Sequence, residues 1–541
     1  MLTLSLDPTN EFANPAFRDA TSCTQWLGQL QLTNLHQVHS LLRAQLDEFN
    51  NYPLNGLGRL QTLESLRETM SDVQSDYAQK LVAKKLPLND QEKAILLSIV
   101  GLWQGMINGY LRCMQSLVAG DIQLMEHGAL IGQRCLLYSG FQISEYMRAG
   151  YEFDGKLWYQ LHQLYVFCEE QGWPLKEVRD DLHVGNFSTS CNATYSKILL
   201  SCHAHRGELS RLFRDLTGRW LNLWSRDVVV AKQHTPVSGE IPTMAVDLES
   251  EHGLQLPQLI SSSDHARYLL VEPLSKLIRA KVLSLQQGQS PQQLDLGENC
   301  NSPECVVLLN YLHQCWCEGR DSRLAARRGV ALHAHVSYGM ESCYSYIANK
   351  PFRQPVDNLA LDGKSRLQIS AFGQVISETS HHDLMALGFV LETWQIENES
   401  MRGSRLLRIE DSNLRLGPSQ LIAIRPDDTN AFIAGVLSWV KVTKEEKLHI
   451  GVRYLPGLPQ AVSMKGTGVN LTISDKYVPA LIFPDMPAFK IATSLVIPRD
   501  WFKPGRVVEI LYSDNQKSEL KMLASIEKGA DFERISFSEI K

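Results

Sequence analysis

Arg323-Leu-Ala-Ala-Arg-Arg-Gly-Val-Ala-Leu-His-Ala-His-Val-Ser337 is where this chain changes its period. From Val330 onward, Val330, Leu332, Ala334 and Val336 alternate with Ala331, His333, His335 and Ser337, the two-residue repeat of a strand with one buried face. Far upstream the repeat is different. Trp26, Leu30, Leu35, Val38, Leu41, Leu42 and Leu46 recur at three- and four-residue intervals, which gathers them into one stripe of a helix. The quoted stretch therefore divides a helical N-terminal part from a β-rich C-terminal part.

Working upstream, helical periodicity runs from about Thr24 to Trp224. It breaks at Asn50-Asn-Tyr-Pro53, Leu86-Pro-Leu-Asn-Asp90 and Gln171-Gly-Trp-Pro174. Asn89-Asp-Gln-Glu92 reads as a helix start, with a capping residue and early acid for the helix dipole. Residues 1–230 are expected to form a helical domain. Residues 231–315 are expected to form an α/β connector, with a strand near Val228-Val-Val230, a short one at Thr243-Met-Ala-Val-Asp247, and helices over 266–287 and 305–318. Downstream, strands are expected at 391–397, 404–409, 420–425, 432–440 and 447–455. Polar turns such as Arg425-Pro-Asp-Asp-Thr-Asn430 separate them, as in a small antiparallel barrel. The barrel should finish near Pro456-Gly-Leu-Pro459. Residues 461–541 form a further β-rich segment, either a second barrel or an extension of the first. The fold class is multidomain α+β: an all-helical domain, then an antiparallel β-barrel, then more β structure.

Composition narrows the function. The chain has 541 residues, 44% hydrophobic and 21% charged, as in an ordinary globular protein of several domains. Its net charge of -6 supplies no global basic field, so neither DNA nor RNA is an expected partner. No stretch has the roughly 18 uninterrupted apolar residues of a membrane span, and Met1-Leu-Thr-Leu-Ser-Leu-Asp7 is no secretory signal. A cytoplasmic protein is expected, its 11 cysteines mostly reduced. Cys300, Cys305, His313, Cys315 and Cys317 do not follow zinc-knuckle spacing and read as buried thiols. His333 and His335 share a strand face without a third ligand, so no metal is expected. GxxxxGK[ST], GxGxxG, GxSxG and HExxH are all absent, and no catalytic residues or cofactor are assigned.

Two short motifs remain. Arg323-x3-Arg327 precedes the first strand, and Asn398-Glu-Ser-Met-Arg-Gly403 follows a later one. Two guanidinium forks match phosphate oxygens, and a polar turn ending in glycine can bond a purine edge while its backbone comes close. RxxxR followed by (D/N)xSxxG resembles the ligand signature of the PilZ-domain family, and residues 316–460 resemble that domain in strand order, through Ile450-Gly-Val-Arg-Tyr-Leu-Pro-Gly457. The resemblance implies a six-stranded antiparallel barrel that binds cyclic di-GMP. It implies phosphate and guanine-face contacts from Arg323 and Arg327, guanine-edge contacts from Asn398 and Ser400, and close approach at Gly403. Arg320, Arg328 and Arg402 are additional candidates. The enzymes that make or degrade this messenger carry GGDEF, EAL or HD-GYP signatures, and none is present. The chain is thus expected to be a non-enzymatic receptor whose helical domain engages a protein partner. The alternative is an interaction scaffold with a degenerate barrel. Arg327 and Asn398 lie 71 positions apart, and residues 339–385 read as an insertion, either a lid, a partner surface or an extended loop.

Overall fold

The computed structural model describes residues 6–182, 188–204, 209, 211–233, 244–261, 263–298, 300–318, 328–355, 381–467, 476–487 and 491–540. The chain divides into two compact units, residues 1–84 with 88–324, and residues 85–87 with 325–541.

The first unit is built on helices α1 (Ala20–Leu27), α2 (Leu35–Asn51), α3 (Gly56–Ala78), α4 (Asp90–Val118), α5 (Gly128–Ala149), α6 (Lys156–Glu170), α7 (Cys191–Ala204) and α8 (Arg211–Trp224). The cap expected at Asn89 is present: its side chain accepts from Glu92 N at 2.9 Å while Glu92 Oε2 accepts from Asn89 N at 3.1 Å, which satisfies two otherwise orphaned donors. α4 is long and apolar enough to cross a membrane, but over half of its most apolar window is buried against other helices. Glycines let those neighbours approach it. A side-chain carbon at Gly105 would lie 2.8 Å from Leu46, and one at Gly109 would lie 2.8 Å from Leu63. Trp103, Trp158, Tyr165, Trp220 and Trp224 are all buried in the core of this unit.

Short strands β1 (Val178–Arg179) and β2 (Ser188–Thr189) pair beside the helices, and β3 (Val229–Ala231), β4 (Ala245–Asp247) and β5 (Ala266–Leu270) form a three-stranded sheet with β5 central. β5 corrects the expected helix from residue 266. Ala266 and Leu269 have helical spacing, but both sides of the segment are taken by strand pairing, and helix α9 (Glu272–Gln286) starts only at Glu272-Pro273. α10 (Ser302–Cys317) follows. Cys300 and Cys305 form a disulfide, so those two sulfurs are not the free thiols expected; nine cysteines are free.

His162, on α6, gives this unit a pH dependence. Its Nε2–H donates to the His252 carbonyl at 2.9 Å and its Nδ1 accepts from Tyr195 Oη at 2.7 Å, which fixes a neutral ring. Burial pushes its pKa down to about 4. Between that value and the ordinary 6.5 the unfolded chain binds a proton that the folded chain refuses, so stability rises with pH. From pH 6.5 down to 4 the unit should lose about 3 kcal/mol. Chemical denaturation across that range checks this, and His162→Gln should flatten the slope.

The second unit holds two closed antiparallel barrels. The first comprises β6 (Arg328–Tyr338), β7 (Glu392–Ser400), β8 (Gly403–Arg408), β9 (Leu421–Pro426), β10 (Ile433–Val442) and β11 (Leu448–Tyr454), in the order β10-β11-β8-β7-β6-β9. The second comprises β12 (Gln460–Gly466), β13 (Val478–Phe483), β14 (Ser494–Pro498), β15 (Val507–Leu511), β16 (Lys517–Lys528) and β17 (Phe532–Ile540), in the order β12-β13-β14-β17-β16-β15. The C-terminal β segment is therefore a barrel of its own, opened by a strand, β12, that the sequence reading passed over.

Part of the 339–385 stretch is helical. α11 (Met340–Ala348) buries Met340, Cys343, Tyr344 and Tyr346 between Leu421, Ala423, Ala434 and Val436 of the first barrel and Leu481, Phe483 and Phe532 of the second. This explains why Leu421-Ile-Ala-Ile424 is apolar without alternation: β9 is buried on both faces. Residues 356–380 of that stretch lie outside the described residues.

Candidate functional site

The candidate site is assembled on the outer wall of the first barrel. Inside the barrel lie Ala334, Val336, Trp394, Ile396, Leu406, Ile450 and Val452, all buried. Alternation turns Gly403, Arg405, Gly451 and Arg453 outward, and a β-bulge between Ile396 and Asn398 shifts the parity of β7 so that Asn398 and Ser400 join them. Register aligns them in two crosswise rows. Gly329 faces Asn398, Asn398 faces Arg405, Arg405 faces Gly451, and Gly451 faces Trp439. Beside it, Ser400 faces Gly403 and Gly403 faces Arg453. Directly opposed residues share a face with side-chain roots about 5 Å apart. Five strands thus contribute to one continuous surface.

Three of the motif residues, Asn398, Ser400 and Gly403, are brought together there. Ser400 Oγ donates to the Gly403 carbonyl at 3.2 Å and accepts from Arg402 N at 3.4 Å, closing the two-residue turn. Arg402 and Met401 at its tip are exposed. Gly403 has a structural explanation. A side-chain carbon there would stand 2.0 Å from the Val452 carbonyl oxygen, part of the backbone of β11. Gly403→Ala should therefore cost the barrel about 3 kcal/mol, the upper end of overpacking, and lower its melting transition by about 6–12 °C. Thermal unfolding followed by circular dichroism tests this. Arg320, Arg323 and Arg327 lie outside the described residues, as does the side chain of Arg328, whose backbone begins β6 opposite Glu399.

Sequence reasoning missed Arg405 and Trp439. Arg405 is gripped by Glu397, 2.6 Å from its Nε, and by His449, whose Nδ1 accepts from Nη2 at 3.1 Å. Burial pushes the His449 imidazole down, and Glu397, whose Oε2 lies 3.3 Å from the same Nδ1, opposes that shift. The Trp439 indole lies across Gly451: a side-chain carbon on that glycine would be 2.1 Å from the indole nitrogen. A half-exposed aromatic plane thus stands next to a fixed guanidinium, which stands next to Asn398. Parity places Arg405, two residues past Gly403, on the same face as that glycine, and Trp439 lies in the strand expected over 432–440, but only register brings the two together.

Elsewhere, a cavity of about 310 Å³ in the helical unit is lined by Glu64, Glu126, Arg134, Glu177, Arg179 and Asp181 among others. Burial alone would raise the Glu64 carboxyl, but the hydrogen bonds and charge of Arg134 and the charge of Arg67 outweigh it and hold it below the usual range. An anchored, permanently ionised carboxylate is a poor proton donor. Among the described residues, no group of three or more His, Cys, Asp or Glu is arranged to hold a metal ion.

Comparison with known proteins adds a direct indication. Residues 21–234 match the family model described as "Cyclic-di-GMP receptor FimW, N-terminal domain", and residues 469–540 match the one described as "FimW C-terminal beta-barrel domain". The cyclic-di-GMP receptor FimW of Pseudomonas aeruginosa is 21% identical over 558 residues, covering 95% of this chain and 90% of that protein. From its helical unit through its last barrel, this chain is similar to FimW, a cyclic-di-GMP receptor.

Proposed function

We propose that this protein is a non-enzymatic receptor for cyclic di-GMP, that the first barrel is a PilZ-like domain, and that the helical unit carries the output to a protein partner. The observation that supports the reading most is the outer-wall row of Asn398, Arg405 and Trp439. A hydrogen-bonding amide, a fixed cation and an aromatic plane lie side by side, beside Ser400 and Gly403. The chain that carries Arg323 and Arg327 enters this wall at Gly329, opposite Asn398. In the ligand complex Asn398 bonds a guanine edge, Trp439 stacks on a base, and Arg323, Arg327 and Arg405 hold phosphate, with Arg320, Arg328 and Arg402 as the outer basic ring. No cofactor, metal or nucleic acid enters this scheme. We also propose a cytoplasmic location, on the strength of the nine free cysteines, seven of them buried.

Base–aromatic stacking contributes roughly 1–3 kcal/mol by alanine substitution, so Trp439→Ala should weaken cyclic di-GMP binding about tenfold or more. Trp439→Phe should recover most of the loss. Titration calorimetry checks both, and equal affinity in all three proteins would remove Trp439 from the site.

One observation favours the alternative, a scaffold whose barrel no longer binds. Gly403 is required by the β8–β11 contact and needs no ligand to account for it. A scaffold would keep fold and partner without binding the nucleotide.

A further inference from the structure

The second barrel meets the first at the edge of the proposed site. Arg453 stands directly across from Gly403, in the same row as Ser400 and two strands from it, and its half-exposed side chain is paired with Glu527 on β16 of the second barrel. On its other side Arg453 faces Val436, which is buried in the core shared by the two barrels. The row thus runs from the motif turn into the seam between barrels. Across the seam, Glu527 faces Arg534, which is buried and donates its Nε–H to Ser494 Oγ at 2.9 Å. Two guanidinium groups therefore share this edge with one carboxylate, beside a turn that carries the exposed Arg402.

We infer that the second barrel forms one wall of the nucleotide site, and that Arg453 is a phosphate-binding residue which the ligand takes over from Glu527. This rests on the reading of the first barrel as a cyclic di-GMP site. A dianion at Ser400 and Gly403 lies one strand spacing from Arg453, within reach of a long basic side chain. Glu527 holds that side chain at the seam in the free protein, and a phosphodiester offers the guanidinium two oxygens on a dinucleotide that carries two negative charges against the carboxylate's one. Binding therefore breaks one ion pair between barrels and makes a stronger one to ligand, which couples occupancy to the seam.

The test is calorimetric titration of cyclic di-GMP into the full-length protein and its variants. Arg453→Ala should weaken binding about tenfold, the size of one charged hydrogen bond. Glu527→Gln should tighten it by a factor of about three to five, because the ligand no longer competes with a carboxylate for the guanidinium. Arg453→Lys, which keeps charge but not the fork, should fall between Arg453→Ala and the parent. A purely structural ion pair would not give tighter binding when broken, so Glu527→Gln decides the matter even if Arg453→Ala folds poorly. Affinities of both variants within twofold of the parent, with binding abolished by Arg323→Ala/Arg327→Ala, would overturn this inference alone. Absence of binding by the parent protein would overturn it together with the reading beneath it.

Discussion

Asp180→Ala should destabilise the helical unit by about 3–5 kcal/mol, the effect expected when one partner of a buried ion network is removed. Asp180 is 1% exposed and stands between the guanidinium groups of Arg67 and Arg134, whose side chains are 5% and 2% exposed. Gln133 and Leu182 N also donate to it. Glu64 completes the arrangement, accepting from Arg134 Nε at 2.9 Å, Arg134 Nη2 at 2.8 Å and Tyr110 Oη at 2.6 Å. Two buried cations are thus matched by two carboxylates. Removing Asp180 leaves one positive charge in a poorly hydrated interior, and no neighbour can neutralise an arginine. Asp180→Asn keeps the shape and part of the hydrogen bonding and should cost less. Urea unfolding followed by far-ultraviolet circular dichroism measures both. The network also sets an acid limit. With the Glu64 carboxyl held below its ordinary 4.5, its contribution is complete above about pH 5 and is lost as the pH falls through the depressed value.

Arg323→Ala/Arg327→Ala should weaken cyclic di-GMP binding at least 100-fold while leaving both barrels folded. Each charged hydrogen bond contributes roughly 1.5–3 kcal/mol, and 1.4 kcal/mol is a factor of ten. Two such losses therefore exceed two orders of magnitude. The barrels should tolerate the change because both residues precede the first strand, β6, which begins at Arg328. The contrast with Gly403→Ala is diagnostic. That variant should lose binding through an unstable barrel, whereas the arginine variant should lose it with an unchanged melting transition.

Much of this architecture was legible because burial in it is one-sided. The helical stripes, the Asn89 cap and the alternation from Val330 each follow from an element with one face toward a core. Legibility failed where burial was two-sided or local spacing was ambiguous. β5, paired on both sides, has apolar residues at helical intervals. α11 lay hidden in what read as an insertion, since its buried residues face two barrels at once. β12 follows directly on the proline-rich turn that reads as the end of the first barrel. For the site, the motif turn was readable as a local pattern. Arg405, Trp439 and Arg453 were not, because they sit on three different strands and come together only through register. The disulfide between Cys300 and Cys305 was likewise invisible in spacing alone.

The central claim is that the outer wall of the first barrel binds cyclic di-GMP. Titration calorimetry of cyclic di-GMP into the full-length protein tests it most directly, with folded Arg323→Ala/Arg327→Ala as control. Saturable binding with a micromolar or tighter Kd in the parent, roughly -8 kcal/mol or better, and none in the control is the predicted result. No heat at about 100 μM ligand in the parent, or equal binding in the control, would contradict it.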